Sequence, residues 1–400
     1  MQEISTGNAS TRDLACFLGA GAYHHYIPAA VDSIIRRGEF LTAYTPYQPE
    51  VSQGTLQAIF EYQSLIAALT GMEVSNASHY DGATAAAEAV IMAYHNFRGK
   101  RGRLVLSPGV NPQYRETIRT YMQGYENFSI AGDADSLAPL SSPEAVVPLI
   151  DQNTCLVLVQ YPDFFGRIYD LTSLVKAAHE AGALVAVAVN PLSLGLLKPP
   201  GEFGADIVIG EGQSLGIPLS YGGPYLGIFA TKKEYVRRLA GRLVGETVDK
   251  EGRRAYVLTL TAREQHIRRE KATSNICTNQ GLMALASTVY MSLLGKQGMR
   301  QVAELCYHKA HYTAQCINNL PGFSVDMETP FFHEFIVRCP ENISVDEINA
   351  RLLDEGILGG YNLERDYPDL KNCMLMAVTE MNSRAEIEAL CDALNEVSHA

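Results

Sequence analysis

Cys155-Leu-Val-Leu-Val159 and Ala183-Leu-Val-Ala-Val-Ala-Val189 are apolar without alternation, and between them Leu171 to Glu180 has helical spacing closed by Gly182. A strand with no polar residues has no face turned to water. Runs of this kind between amphipathic helices therefore indicate a mainly parallel sheet covered on both sides. The same alternation recurs outward from this stretch. Leu104-Val-Leu106 and Phe128-Ser-Ile130 read as strands, Pro112 to Met122 and Pro143 to Ile150 as helices, and Asp206-Ile-Val-Ile209 and Leu226 to Ala230 as further strands. Residues 71–240 are expected to form a three-layer α/β/α domain.

Ahead of that region, Leu56, Ile59, Phe60, Ile66 and Ala67 give Thr55 to Thr70 a helical pattern, with Gly71 as its stop. A second helix follows Asp81-Gly-Ala-Thr84, and Gln280 to Leu294 reads as a long one. From about residue 300 the pattern changes to a small α+β domain. It has helices at Gln301–Asn319, Val345–Glu355 and Arg384–Val397, and strands at Glu334–Arg338 and Met374–Val378. The expected division is an extended and helical segment 1–54, a large α/β domain 55–299 and a small domain 300–400.

The 400 residues are 47% hydrophobic and 19% charged, an ordinary globular profile. A net charge of -12 and the lack of a basic stripe argue against nucleic acid as a partner. No apolar run of about 18 residues predicts a membrane span. None of the eight cysteines has CxxC spacing, so no metal site is expected, and several lie in apolar runs where a thiol behaves as a small hydrophobe. That usage fits a reducing, cytoplasmic location.

Gly19-Ala-Gly21-Ala-Tyr-His24 fails as a dinucleotide fingerprint, because His24 holds the third glycine place and no strand precedes it. Asp81-Gly82-Ala83-Thr84 at a helix start can cradle an anion or serve as an ordinary cap, and the residues alone fit both. Asn190 ends the most apolar strand, where open α/β sheets bind ligands, but Asn-Pro also starts a turn. Gly210-Glu-Gly-Gln213-Ser214-Leu-Gly216 and Tyr221-Gly-Gly-Pro224 mark backbone passing close to a ligand or another chain. Tyr44-Thr-Pro-Tyr47-Gln48-Pro-Glu50 is a proline-stiffened loop that holds its side chains out.

Several segments together resemble the P-protein of the glycine cleavage system, and most closely the first subunit of its two-subunit form. They are Phe17–Tyr23, Tyr44-Thr-Pro-Tyr-Gln-Pro-Glu-Val-Ser-Gln-Gly54, Ala83–Glu88, Gly212–Gly216, Arg263-Glu-Gln-His-Ile-Arg-Arg-Glu-Lys-Ala-Thr-Ser-Asn-Ile-Cys-Thr278 and Val378-Thr-Glu380. The likeness covers nearly the whole chain. It implies a fold-type-I pyridoxal-phosphate transferase architecture. The phosphate cradle would fall at Asp81, Gly82, Ala83 and Thr84, the pyridine-nitrogen partner at Asn190 and the Schiff-base lysine at Gln213-Ser214.

Both of the last two places depart from what the chemistry needs. Gln and Ser carry no amine, and Asn supplies no negative charge for a pyridinium. The resemblance therefore implies no catalytic residue in this chain. Pyridoxal phosphate would be held covalently by a second, lysine-bearing P-protein subunit, in a heterodimer that is itself doubled. Tyr44, Tyr47, Gln48 and Glu50 would face that partner's site. Glycine would be decarboxylated and its aminomethyl group passed to the lipoamide of H-protein. Two alternatives stand beside this: a self-sufficient enzyme using another lysine such as Lys271, and a purely structural or regulatory partner subunit. The family also has more residues before Phe17, so a shortened N-terminus is an expectation here.

Overall fold

The computed structural model describes residue 4 and residues 7–398. The chain divides into one unit of residues 27–161 and 170–300 and another of 1–26, 162–169 and 301–400. The first 54 residues are thus shared between the two units, and the short segment 162–169 goes with the C-terminal part.

The larger unit is built on a seven-stranded sheet. Its strands in chain order are β1 (Val74–Ser75), β2 (Arg103–Leu106), β3 (Ser129–Gly132), β4 (Thr154–Tyr161), β5 (Leu184–Val189), β6 (Ile207–Glu211) and β7 (Gly227–Thr231). Their spatial order is β1-β7-β6-β5-β4-β2-β3. The five strands from β2 to β6 pair in parallel, and β7 runs antiparallel to both β6 and β1. Leu156, Leu158, Ala186, Ala188, Ile207 and Ile209 pack into a core with the two helices α2 (Gly82–Asn96) and α3 (Pro112–Met122). The alternate residues Val157, Val159, Val185, Val187 and Val208 are equally buried, so the sheet has no wet face. This is the physical reason its strands show no alternation.

Helices α1 (Gln53–Thr70) and α4 (Thr172–Glu180) fall at the predicted places, α1 ending on Gly71 in the left-handed conformation (φ 69°). The span Pro143–Leu149 is a 3-10 helix rather than the expected α-helix; Pro148 within it has no N–H for an α-helical ladder. An antiparallel hairpin, β8 (Leu243–Val248) with β9 (Arg254–Thr259), was not predicted. Gly281–Asn318 forms one helical run, α5, interrupted at Gly295 (φ 58°), where the sequence suggested two helices.

The smaller unit holds a four-stranded antiparallel sheet of β10 (Ser324–Val325), β11 (Glu334–Arg338), β12 (Tyr361–Asn362) and β13 (Cys373–Ala377), in the order β10-β11-β13-β12. Helices α6 (Val345–Asp354) and α7 (Arg384–Ser398) complete it, and Phe17 from the N-terminal segment lies in its core. Among the described residues no helix is long and apolar enough to cross a membrane. All eight cysteines are free thiols.

Candidate functional site

Val189 and Gly210 are partners in the parallel β5–β6 register, so Asn190 and Glu211 come next to each other at the carboxyl edge of the sheet. Glu211 pairs with Gly227 on β7, and Gly227 bridges to His79. These pairings carry the chain leading into α2 to the same edge. Asp81 caps α2. Its side chain accepts from the Thr84 amide (2.7 Å), while the Thr84 hydroxyl accepts from the Asp81 amide (3.2 Å). These two bonds form a capping box at the start of α2.

The Gly82 amide is directed elsewhere. It donates to Oε2 of Glu211 (3.0 Å), whose Oε1 accepts from the amides of Gln213 (3.0 Å) and Leu226 (2.9 Å). The Glu211 carboxyl group thus sits at the first turn of α2, held by three backbone N–H groups. Loss of water around it pushes it up to about 8, against the pull of those N–H bonds. Tyr114, from α3, closes the same space. A methyl group on Gly82 would overlap the Tyr114 hydroxyl and lie 2.6 Å from its Cζ and 2.9 Å from the Glu211 nitrogen. Burial, Glu211 and Asp81 together hold the Tyr114 phenol well above its usual range. Neither Glu211 nor Tyr114 was foreseen. The only sequence signal was one acidic residue between glycines at a strand end.

The other predicted residues fall around this point. Ala83 lies in the first turn of α2. Asn190 accepts from the Leu192 amide (3.1 Å) and caps the 3-10 turn Pro191–Gly195. Gln213 is buried and donates to the Ile217 carbonyl (2.8 Å). Ser214 is buried, and among the described residues its hydroxyl has no hydrogen-bond partner; the same holds for the Tyr62 phenol, which burial and the Glu211 charge push up.

The Tyr44–Glu50 loop is mostly exposed; Tyr44 shows 81% of its surface. It is anchored from below. The buried Arg242 guanidinium donates to the Tyr47 hydroxyl (2.7 Å), and Gln53 ties the end of the loop to Pro49 and Tyr256. The Tyr47 ring also meets His266 edge-on, with centroids 5.6 Å apart. Tyr44, Thr45 and Pro46 share a cleft of about 160 Å3 with Thr278, Asn279 and Leu282. The two longest motif segments, 44–54 and 263–278, therefore meet. Ser274 donates to the buried Glu88 of α2 (2.9 Å), whose carboxyl burial raises to about 7. Tyr44 and Tyr47 thus meet the 263–280 segment, Gln48 and Glu50 are exposed, and Asp81–Thr84, Asn190 and Gln213-Ser214 lie around Glu211.

In the smaller unit, Glu334 accepts from the Tyr23 hydroxyl and the Ala20 amide, both at 2.7 Å. Glu380 meets His25 Nδ1 (2.7 Å) and the Cys306 thiol (3.3 Å). Both sets tie the Phe17–Tyr26 segment to the C-terminal part. The motif residues at either end of the chain therefore share a structural reason for their presence.

The residues at the sheet edge do not fit pyridoxal phosphate. No amine stands at Gln213-Ser214, and Asn190 brings no charge. The place where a helix start would receive a phosphate is taken by the Glu211 carboxyl group and the Tyr114 hydroxyl. Three lysines can be placed. Lys232 binds Asp206 at the opposite end of β6, Lys198 lies over the Phe203 ring (4.3 Å), and Lys271 is exposed.

The family model described as the glycine cleavage system P-protein matches residues 1–394. A relative from Thermomicrobium roseum, named probable glycine dehydrogenase (decarboxylating) subunit 1, is 56% identical over 396 residues, covering 99% of this chain and 88% of its own. The crystal structure of a glycine decarboxylase (P-protein) of the glycine cleavage system, in inhibitor-bound form, matches with a TM-score of 0.92 at 44% identity, over 99% of this chain and 87% of that one. A cysteine desulfurase from Escherichia coli matches at 0.69 with 15% identity, over 98% and 96%, and shares the fold alone. The architecture is that of fold-type-I pyridoxal-phosphate enzymes.

Proposed function

Because the chain belongs to the glycine cleavage system P-protein family, we propose that it is the first subunit of a two-subunit glycine dehydrogenase (decarboxylating). The second subunit carries the Schiff-base lysine and holds pyridoxal phosphate, which supplies the electron sink for decarboxylating glycine. The aminomethyl group then passes to the lipoamide of H-protein. The working unit is a heterodimer, doubled to a heterotetramer, and the assembly is cytoplasmic.

The observation that carries this reading is the filled site at the sheet edge. A chain with Gln213-Ser214 at the lysine place and its own Glu211 at the anion place has no means of holding the cofactor. Its outward-facing, well-anchored Tyr44–Glu50 loop has the character of a part presented to another protein. Such a loop positions groups because its supports are rigid. Arg242 fixes Tyr47 from beneath, Gln53 fixes the backbone at Pro49, and Tyr44, Gln48 and Glu50 are left facing out. The role of this chain is to shape and close the partner's pocket and to exclude water from it.

The test is reconstitution. Each subunit alone should fail to exchange the glycine carboxyl with bicarbonate, and the mixture should succeed. Exchange by this chain alone with added cofactor overturns the reading. Full exchange by the second subunit alone would reduce this chain to a structural partner.

A further inference from the structure

The start of α2 is an anion seat by its physics. Its first-turn N–H groups have no partner within the helix, the helix dipole places partial positive charge there, and Gly82 leaves the backbone bare. In most helices of this kind the seat takes solvent, a cap or a ligand. Here Asp81 accounts for the Thr84 amide, and the Gly82 amide is claimed by a side chain 129 positions away. That side chain is not a surface carboxylate swung in by chance. Glu211 is the last residue of β6, its backbone is fixed by pairing with Gly227, and three N–H groups from three different segments converge on its two oxygens. Tyr114 packs against the same glycine. Among the described residues the buried hydroxyls of Ser214 and Tyr62 have no hydrogen-bond partner, so polar groups beyond Glu211 and Tyr114 are buried here.

We propose that Glu211 is a built-in substitute for a phosphate group: its carboxyl occupies the anion seat at the start of α2, with Tyr114 as a plug, and keeps this chain from taking up a phosphorylated cofactor. Glu211 is then the residue that confines pyridoxal phosphate to the other subunit. This rests on the reading of the chain as the cofactor-free subunit. It can fail separately from that reading, since its readout is anion binding by one chain and not glycine turnover by the pair.

The experiment compares the full chain with Glu211→Ala and with Glu211→Ala/Tyr114→Phe, using thermal unfolding and calorimetric titration with inorganic phosphate. Chloride at equal ionic strength is the control. Wild type should show no saturable phosphate binding and no phosphate-specific rise in unfolding temperature. The variants should be less stable without phosphate. They should regain stability as phosphate is added, by an increment that rises with phosphate concentration and then follows its saturation. Pyridoxal phosphate, followed by difference absorbance, should bind the double variant without forming an aldimine, since no amine is added. Saturable binding of phosphate or pyridoxal phosphate by the wild-type chain overturns the proposal. So does the absence of a phosphate-specific gain in both variants, whether they fold without phosphate or fail to fold with it. Glu211→Gln, which keeps the bulk of the side chain, should resemble wild type in binding no phosphate; phosphate binding by it would overturn the proposal that occupancy closes the seat.

Discussion

Gly82→Ala measures how tightly the start of α2 is closed. Gly82 has an ordinary helical backbone, so adding a methyl group in open space would stabilise by up to about 1 kcal/mol through helix preference and a less flexible unfolded chain. The space is not open. The new carbon would overlap the Tyr114 hydroxyl and stand 2.6 Å from Tyr114 Cζ and 2.9 Å from the Glu211 nitrogen. The phenol can shift a little, but the Glu211 amide is fixed in a strand. Overpacking of this kind costs roughly 3 kcal/mol at its upper range, leaving a net loss of about 2 kcal/mol. Urea unfolding at constant pH reads this as a lower midpoint with an unchanged slope. Gly54→Ala is the control: it also lies in a helix, nothing stands within 4 Å of its new methyl group, and the expected change is a small gain. Tyr114→Phe should rescue Gly82→Ala in part, because the hydroxyl goes and the ring carbon stays. A neutral or stabilising Gly82→Ala would refute the claim that Glu211 and Tyr114 fill this place.

Glu88 is raised to about 7 by burial, against its bond from Ser274, so its contribution to stability is present below about pH 4.5 and lost as pH rises through 7. Glu88→Gln should therefore gain roughly 1–2 kcal/mol at pH 8 and nothing at pH 5, measured by unfolding at both values. For Glu380, burial acts upward, but the His25 hydrogen bond and charge outweigh it and bring the group down to about 2. That stability is present above about pH 4.5 and lost as pH falls through 2. His25→Ala should cost about 3 kcal/mol at neutral pH and flatten the acid limb of the stability curve. Tyr47→Phe and Glu50→Gln in the assembled complex should slow glycine–bicarbonate exchange, and Tyr47→Phe should also loosen Arg242 at a cost of about 1.5 kcal/mol. An unchanged exchange rate in both variants would remove the loop from the partner's site.

Much of the large unit was legible because burial on two faces leaves a plain mark. Cys155–Val159 and Ala183–Val189 could not be anything with a wet side, and the helices between them carried clean spacing and glycine stops. The β8–β9 hairpin was not legible, since Glu246, Thr247, Arg254 and Thr259 break any apolar run and its packing partners lie in α1. The run Gly281–Asn318 was read as two helices, Gln280–Leu294 and Gln301–Asn319; the structure carries one helical run across Gly295, the one residue out of helical geometry. That Gln213 and Ser214 carry no amine shows in the letters, whereas the neighbours of Glu211 do not. Glu211 meets Gly82 and Tyr114, which are remote in sequence, and the strand register together with the packing of α2 and α3 on the sheet brings them together. Asp81–Thr84 fitted a cap and a cradle equally; the capping bonds account for Asp81 and Thr84 and leave the Gly82 amide to Glu211.

The most direct test of the central claim is to reduce the reconstituted, cofactor-loaded complex with borohydride, separate the two subunits and weigh each. A pyridoxyl adduct found on the second subunit alone is the predicted result. A stoichiometric adduct on any lysine of this chain would contradict it.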